Sequence, residues 1–235
     1  MMRLVLDGMP SSWMSILHVG GPAILSGLIM PFSMLVITRL LAGHGHEVVA
    51  GYNVATRVET MAHMILWSAS SSVEPFIGQN WGARNFDRVK RALFLTNSFS
   101  LAWGVFTFVL MLLIGEFVVS LIDDNQVVGE VASSFFLIIP LSIGFMGIMQ
   151  IATSSFNARG LPLPALVISV VRTVVVYVPL AIVADMFWGY VGIFLATSAT
   201  NVGVGVVAWY WNRQSVALQK GQRDLSSRKT ESLES

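Results

Sequence analysis

The sequence predicts an all-α, polytopic membrane helix bundle with six transmembrane helices, and three observations carry that prediction. The first is composition: 54% apolar residues, 11% charged residues and a mean hydropathy of +0.71 do not suit a chain that must keep a water-soluble surface. The second is that the apolar residues fall into six stretches, each near the roughly 20 residues that cross about 30 Å of hydrocarbon. The third is that Lys and Arg collect in every second connection.

Residues 1–16 lack the charged start, apolar core and cleavage site of a secretory signal, so they read as a retained cytoplasmic or interfacial segment with Trp13 at headgroup depth. The six-helix transmembrane lobe is expected over 17–212. Its first span runs over about 17–41 and contains Pro22 and Pro31. The second begins near 48 and continues as helix to 79, longer than one crossing, so it tilts or overhangs. The third covers about 92–119, the fourth 127–155, the fifth 165–184 and the sixth 187–211. Residues 213–235 are a polar Lys, Arg, Ser and Glu mixture with little to bury, and they read as a disordered cytoplasmic tail.

Orientation follows from the loops. Arg84, Arg88, Lys90 and Arg91 lie between spans two and three, Arg159 between four and five, and Arg213, Lys220, Arg223, Arg228 and Lys229 after six. The opposite connections, 43–47, 123–126 and 185–187, have no Lys or Arg, which places both termini in the cytoplasm and the chain in the plasma (inner) membrane. Arg39, near the outer end of span one, can snorkel to the interface. The formal charge of +1 gives no basic excess for nucleic acid, and with no Cys there is neither a disulfide nor a thiolate metal site.

Within the spans, Pro22, Pro31, Pro140 and Pro179 each remove a backbone donor, which a membrane tolerates where neighbours or cavity water satisfy the freed carbonyl. Small residues such as Ser68–Ser72, Gly203 and Gly205 read as close helix packing. An ionised group at mid-depth is costly unless it meets a partner or water, and that singles out Glu59 as an ion-coupling candidate. Arg57, two residues away, lies on a different face, whereas Arg172 enters span five to comparable depth; both are candidate charge partners, with a Glu59–Arg172 pair permitted by the spacing. Glu74, nearer the basic loop, reads as structural.

Enzymatic readings find little support. His44, His46 and Glu47 occupy a short loop without the i, i+4 geometry of H-E-x-x-H, so a solvated turn is expected rather than a metal site. His18 and His63 belong to no nucleophile motif, and no glycine-rich phosphate loop occurs. No catalytic residue, metal or cofactor is assigned.

The most specific stretch is Val73-Glu74-Pro75-Phe76-Ile77-Gly78-Gln79-Asn80-Trp81-Gly82-Ala83-Arg84, joining span two to the basic loop. With six apolar segments, it resembles the carboxyl-terminal six-helix half of a MATE-type multidrug antiporter, whose recurrent junction has the form P-x-x-G-Q-N-x-G-A. Pro75, Gly78, Gln79, Asn80 and Gly82 match that motif, and Arg159-Gly160 resembles the corresponding turn after span four. The resemblance covers residues 20–211. It implies secondary active efflux of cationic drugs or metabolites by sodium or proton antiport, through alternating access of two lobes. Sodium ion or proton would be the coupling ion, and the partners would be membrane lipid, small amphipathic organic cations and a second six-helix lobe, as a separate half or in a homodimer. The family's known coupling acids do not transfer, because Met30-Pro31 and Ile148-Met149-Gln150 stand in the equivalent regions.

A substrate wall of thioethers and rings is expected from Met30, Met64, Trp67, Met149 and Gln150, with Met61, Phe145 and Met146 beside them. Two alternatives stay open: an inactive truncated lobe or non-transporting membrane scaffold, and a lipid-linked precursor flippase, which would be expected to use more cationic residues than Arg57 and Arg172.

Overall fold

The computed structural model describes residue 29, residues 31–121 and residues 125–234, with side chains described as far as residue 218 except at 116. The expectations on residues 1–28, Met30 and residues 122–124 lie outside the described residues. Every element described is helical. In chain order these are α1 (Pro31–Ala42), α2 (His46–Gly82), α3 (Phe86–Ser120), α4 (Gln126–Ile138), α5 (Pro140–Ala158) and α6 (Pro162–Val170), a seven-residue π-helix (Val171–Tyr177), α7 (178–188) and α8 (190–234).

Length and hydropathy identify the crossings. Phe86–Gly115 is long and apolar enough to cross as one helix, and α4 and α5 together are apolar enough for a crossing but are bent by 53° at their junction. The continuous stretch Pro162–Leu218 has 57 residues, about 85 Å at helical rise and far more than one bilayer. It folds back at Gly189, whose φ of 59° and ψ of −147° are open to glycine alone, and so supplies two crossings. Helix α2, at 37 residues, is long enough, but Asn53, Arg57, Glu59 and His63 dilute its hydropathy. Those polar residues fall in the first half of α2, whereas its second half carries exposed apolar side chains such as Ile65 and Phe76.

The outside is apolar. Leu113 is 77% exposed, Leu163 70%, Phe94 69% and Met186 80%, which apolar surroundings such as lipid make favourable. Exposed Phe187 and Trp188 close α7 beside the start of α8, and exposed Trp209, Tyr210 and Trp211 lie farther along α8. From Tyr190 to Trp209 along α8 is about 28 Å at helical rise, close to the hydrocarbon thickness between two interfacial aromatic belts.

Several expected boundaries shift. The fourth span is not one helix: Pro140 lacks the N–H that would continue α4, so the chain bends there and restarts with proline in the first turn of α5. The turn between spans five and six is at Gly189, not 185–187, because α7 continues through Trp188. Pro179 follows the π-helix closely; its missing N–H would leave the Val175 carbonyl of a regular helix unpaired, and the looser register upstream accommodates this. The tail expected to be disordered from 213 instead continues α8, with Val216 buried against α2 and α3 and Ser215 bonded to Arg159.

The largest buried cluster joins Ile37 and Leu41 of α1, Ala55 of α2, Val131 and Phe135 of α4 and Phe194 of α8. Helices α3 and α5 cross where Gly104 meets Gly144, and a Cβ on Gly104 would stand 2.6 Å from the Gly144 nitrogen. No side chain larger than hydrogen fits that crossing.

Candidate functional site: a polar cluster inside the lobe and a clasp at its basic end

Two polar assemblies stand out. At the basic end, the two motifs singled out in the sequence come together. Arg159, capping α5, donates from Nε to the Ser155 carbonyl (3.0 Å), from Nη1 to Ser215 Oγ (3.0 Å) and from Nη2 to Asn212 Oδ1 (2.7 Å). Its guanidinium also lies over the rings of Trp81 (5.2 Å) and Phe156 (4.7 Å). Acceptors meet its edges and rings meet its faces. Burial lowers its pKa to about 10, still leaving a cation at neutral pH.

Asn80 donates from Nδ2 to the Phe76 carbonyl (2.9 Å), its own carbonyl accepts from Asn85 N (2.8 Å), and Gly78 faces the Ala158 carbonyl. Pro75, Gln79 and Gly82 line the outer side of this junction less tightly, and Gly160, with φ of 74°, makes the turn after Arg159. Glu74 is half-buried and forms no ion pair with Arg84 or Arg88.

The second assembly lies in the interior. Glu59 is 13 residues into α2, about 20 Å from its start, and only 14% of its side chain is exposed. Its near partner is His63, one turn on, with Nε2 3.7 Å from Oε1 and only 12% of the histidine side chain exposed. His63 stacks in turn on Trp67, at 6.2 Å. Arg57 is more open than Glu59's carboxylate environment and makes no ion pair with it, in keeping with the different-face expectation.

Arg172, on the π-helix, lies within electrostatic reach of Glu59 but forms no direct pair with it. It donates from Nη2 to Asn201 Oδ1 of α8 (2.9 Å), Asn201 Nδ2 donates to Ser142 Oγ of α5 (3.0 Å), and Ser142 donates to the Ile139 carbonyl (2.8 Å). The direct Glu59–Arg172 pair permitted by spacing is therefore replaced: the asparagine holds the guanidinium. Tyr177 and Thr197 share a hydrogen bond of 3.0 Å beside it, and Tyr52 and Tyr177 both come within electrostatic reach of Glu59. His63 Nε2 and Arg172 Nε are buried without a hydrogen-bond partner. A buried polar atom left open is costly, and here two such atoms flank one carboxylate.

The expected substrate wall is only partly assembled. Met64 (56% exposed) and Trp67 (37%) lie on the open face of α2 next to the acid, and Gln150 is half-buried. Met149 is a correction: it is 8% exposed and packs with Ala152, Phe156, Ala165 and Ala208 in a helix–helix core, so it lines no open surface. Sequence reasoning missed Asn201, Ser142 and Tyr177, and set His63 aside because it belonged to no catalytic motif. The i, i+4 spacing of Glu59 and His63 was the available signal. His44, considered as a metal ligand, instead binds Asp185, Nε2 to Oδ1 at 2.6 Å, at the end opposite the clasp.

The described residues thus form a helical lobe with an apolar exterior and a partly buried charged cluster. A family model, MatE, matches residues 22–183, and the chain belongs to that family of membrane transporters. It is 33% identical over 205 residues to a FAD transporter of Shewanella oneidensis, covering 87% of this chain and 45% of that protein. It is 25% identical over 181 residues to the multidrug export protein MepA of Staphylococcus aureus, covering 76% and 39%. Among solved structures, the MATE transporter VcmN of Vibrio cholerae in its bent form superposes with a TM-score of 0.81 at 26% identity, over 88% of this chain and 48% of that one. The chain thus spans less than half the length of the curated relatives it matches.

Proposed function

We propose that this chain is one lobe of a secondary transporter that exports amphipathic organic molecules by ion-driven alternating access, working against a second six-helix lobe. The observation that carries the reading is Glu59: an acid near mid-depth in a lipid-facing bundle, approached by His63 and Arg172 but hydrogen-bonded to neither. An acid so placed can take up a proton or a sodium ion, and changing its charge changes its attraction to Arg172 across the lobe. That supplies the differential interaction that alternating access requires. The gathering of Arg84, Arg88 and Arg159 at one end supports a cytoplasmic position for that end and for both termini.

The relatives support two readings of the cargo. MepA is a multidrug export protein, and the exposed Met64 and Trp67 suit flat, amphipathic cations. A second reading, export of a flavin dinucleotide, is favoured by the higher identity to the FAD transporter. Efflux of ethidium and of FAD from vesicles decides between them, assayed for this chain alone and with a six-helix first half. Ion-gradient-dependent loss of one compound, only when both halves are present, is expected. No gradient-dependent movement of either compound in the paired assembly would reject a transport role and leave a scaffold.

A further inference from the structure

Helices α2 and α3 diverge on their exposed side to form an open groove with a cavity volume of about 730 Å³. It is lined by Ala69, Phe76, Leu95 and Phe99, with Arg88 and Arg91 toward the basic end. Ser72 and Thr96 also line it, but their hydroxyls donate within their own helices, to the Ser68 carbonyl (2.7 Å) and the Ala92 carbonyl (2.8 Å). The groove therefore presents hydrocarbon along its length and positive charge at one end. Neither guanidinium has an ion-pair or hydrogen-bond partner among the described residues, and no acidic residue lines the groove.

From Arg88 to Phe99 is about 16 Å along α3. The two arginines, three residues apart, share one helix face near its first turn, where the chain leaves the hydrocarbon. This matches an amphiphile with an anionic head at the interface and a tail pointing inward. Basic pockets between transmembrane helices take up lipid phosphates in this way, and guanidiniums suit them because of their forked donors.

We propose that the α2–α3 groove binds one anionic glycerophospholipid, its phosphate between Arg88 and Arg91 and an acyl chain against Phe76, Leu95 and Phe99. The groove begins at the motif junction between the two helices, so the bound lipid also fastens the basic end of α2 to α3. A second protein lobe would be the other occupant, but such an interface would leave both unpaired guanidiniums to be satisfied by acids of the partner. A lipid supplies the charge and the tail together.

Native mass spectrometry of the full purified chain in detergent tests this, with phosphatidylglycerol and phosphatidylcholine as probes at equal concentration. Phosphatidylglycerol adducts should exceed phosphatidylcholine adducts at least fivefold. Arg88→Gln with Arg91→Gln should remove that preference. Ala69→Phe, which fills the groove and leaves both arginines, should lower adducts of both lipids. Inorganic phosphate at the same concentration should not compete, which separates lipid from free anion. Equal adducts for the two lipids, phosphatidylglycerol retention in both variants, full competition by phosphate, or a dimer mass in place of lipid adducts would each overturn the proposal. Unchanged melting temperatures of the variants confirm that they fold.

Discussion

The Arg159 clasp and the Glu59–Arg172 cluster each bury an arginine among polar partners, but they finish the task differently. Arg159 has three hydrogen bonds and two aromatic faces, and it ties α2, α5 and α8 together at one end. Arg172 has one side-chain bond, to Asn201, and its Nε is left open, as is Nε2 of His63 one helix away. Complete satisfaction gives a single rigid arrangement; incomplete satisfaction leaves groups free to change partner. The clasp is accordingly built to hold, and the interior cluster to respond.

Matched substitutions sharpen that contrast. Arg159→Gln should cost the most, about 3 kcal/mol, because it removes charge-assisted bonds and leaves Ser215 and the rings without their partner. Thermal unfolding in detergent should show a large fall. Gly189→Ala should cost about 2 kcal/mol by the same measurement, since its backbone conformation excludes a Cβ, and the loss should extend to the His44–Asp185 contact packed beside it. Trp81→Leu should cost about 1 kcal/mol, removing one cation–π face while keeping an apolar contact with Phe86. Arg172→Gln should be the mildest on stability, within about 1 kcal/mol, because it loses a single side-chain bond, to Asn201, while a buried open donor disappears. Equal losses from Arg159→Gln and Arg172→Gln would erase the distinction between the two regions.

Much of the lobe was legible because the bilayer imposes a simple rule: a long apolar run is a crossing, and positive charge gathers at one end. The same sequence showed Glu59 as an unusual charge, and the motif at Pro75–Ala83 as a junction. What it did not show depends on register between helices. Met149 was a plausible wall residue until α6 and α8 covered it, and only the packing of α8 against the π-helix brings Asn201 to Arg172. The fold-back at Gly189 was displaced by a few residues, because an apolar sequence such as Met186-Phe187-Trp188 reads alike inside a helix and in a turn. The helical continuation past Asn212 was hidden by its polar composition, since the buried partner of Ser215 is itself a charged side chain from another part of the chain.

The most direct test is Glu59→Gln in a transport-competent assembly containing both six-helix lobes, which keeps the side-chain volume and removes its charge. Measured as gradient-driven efflux at matched protein abundance and melting temperature, the variant should lose at least about tenfold of the ion-dependent rate, since a neutral amide at mid-depth no longer exchanges charge. Full ion-driven efflux by the Glu59→Gln variant would contradict the assignment of this interior acid as the group that responds to the coupling ion.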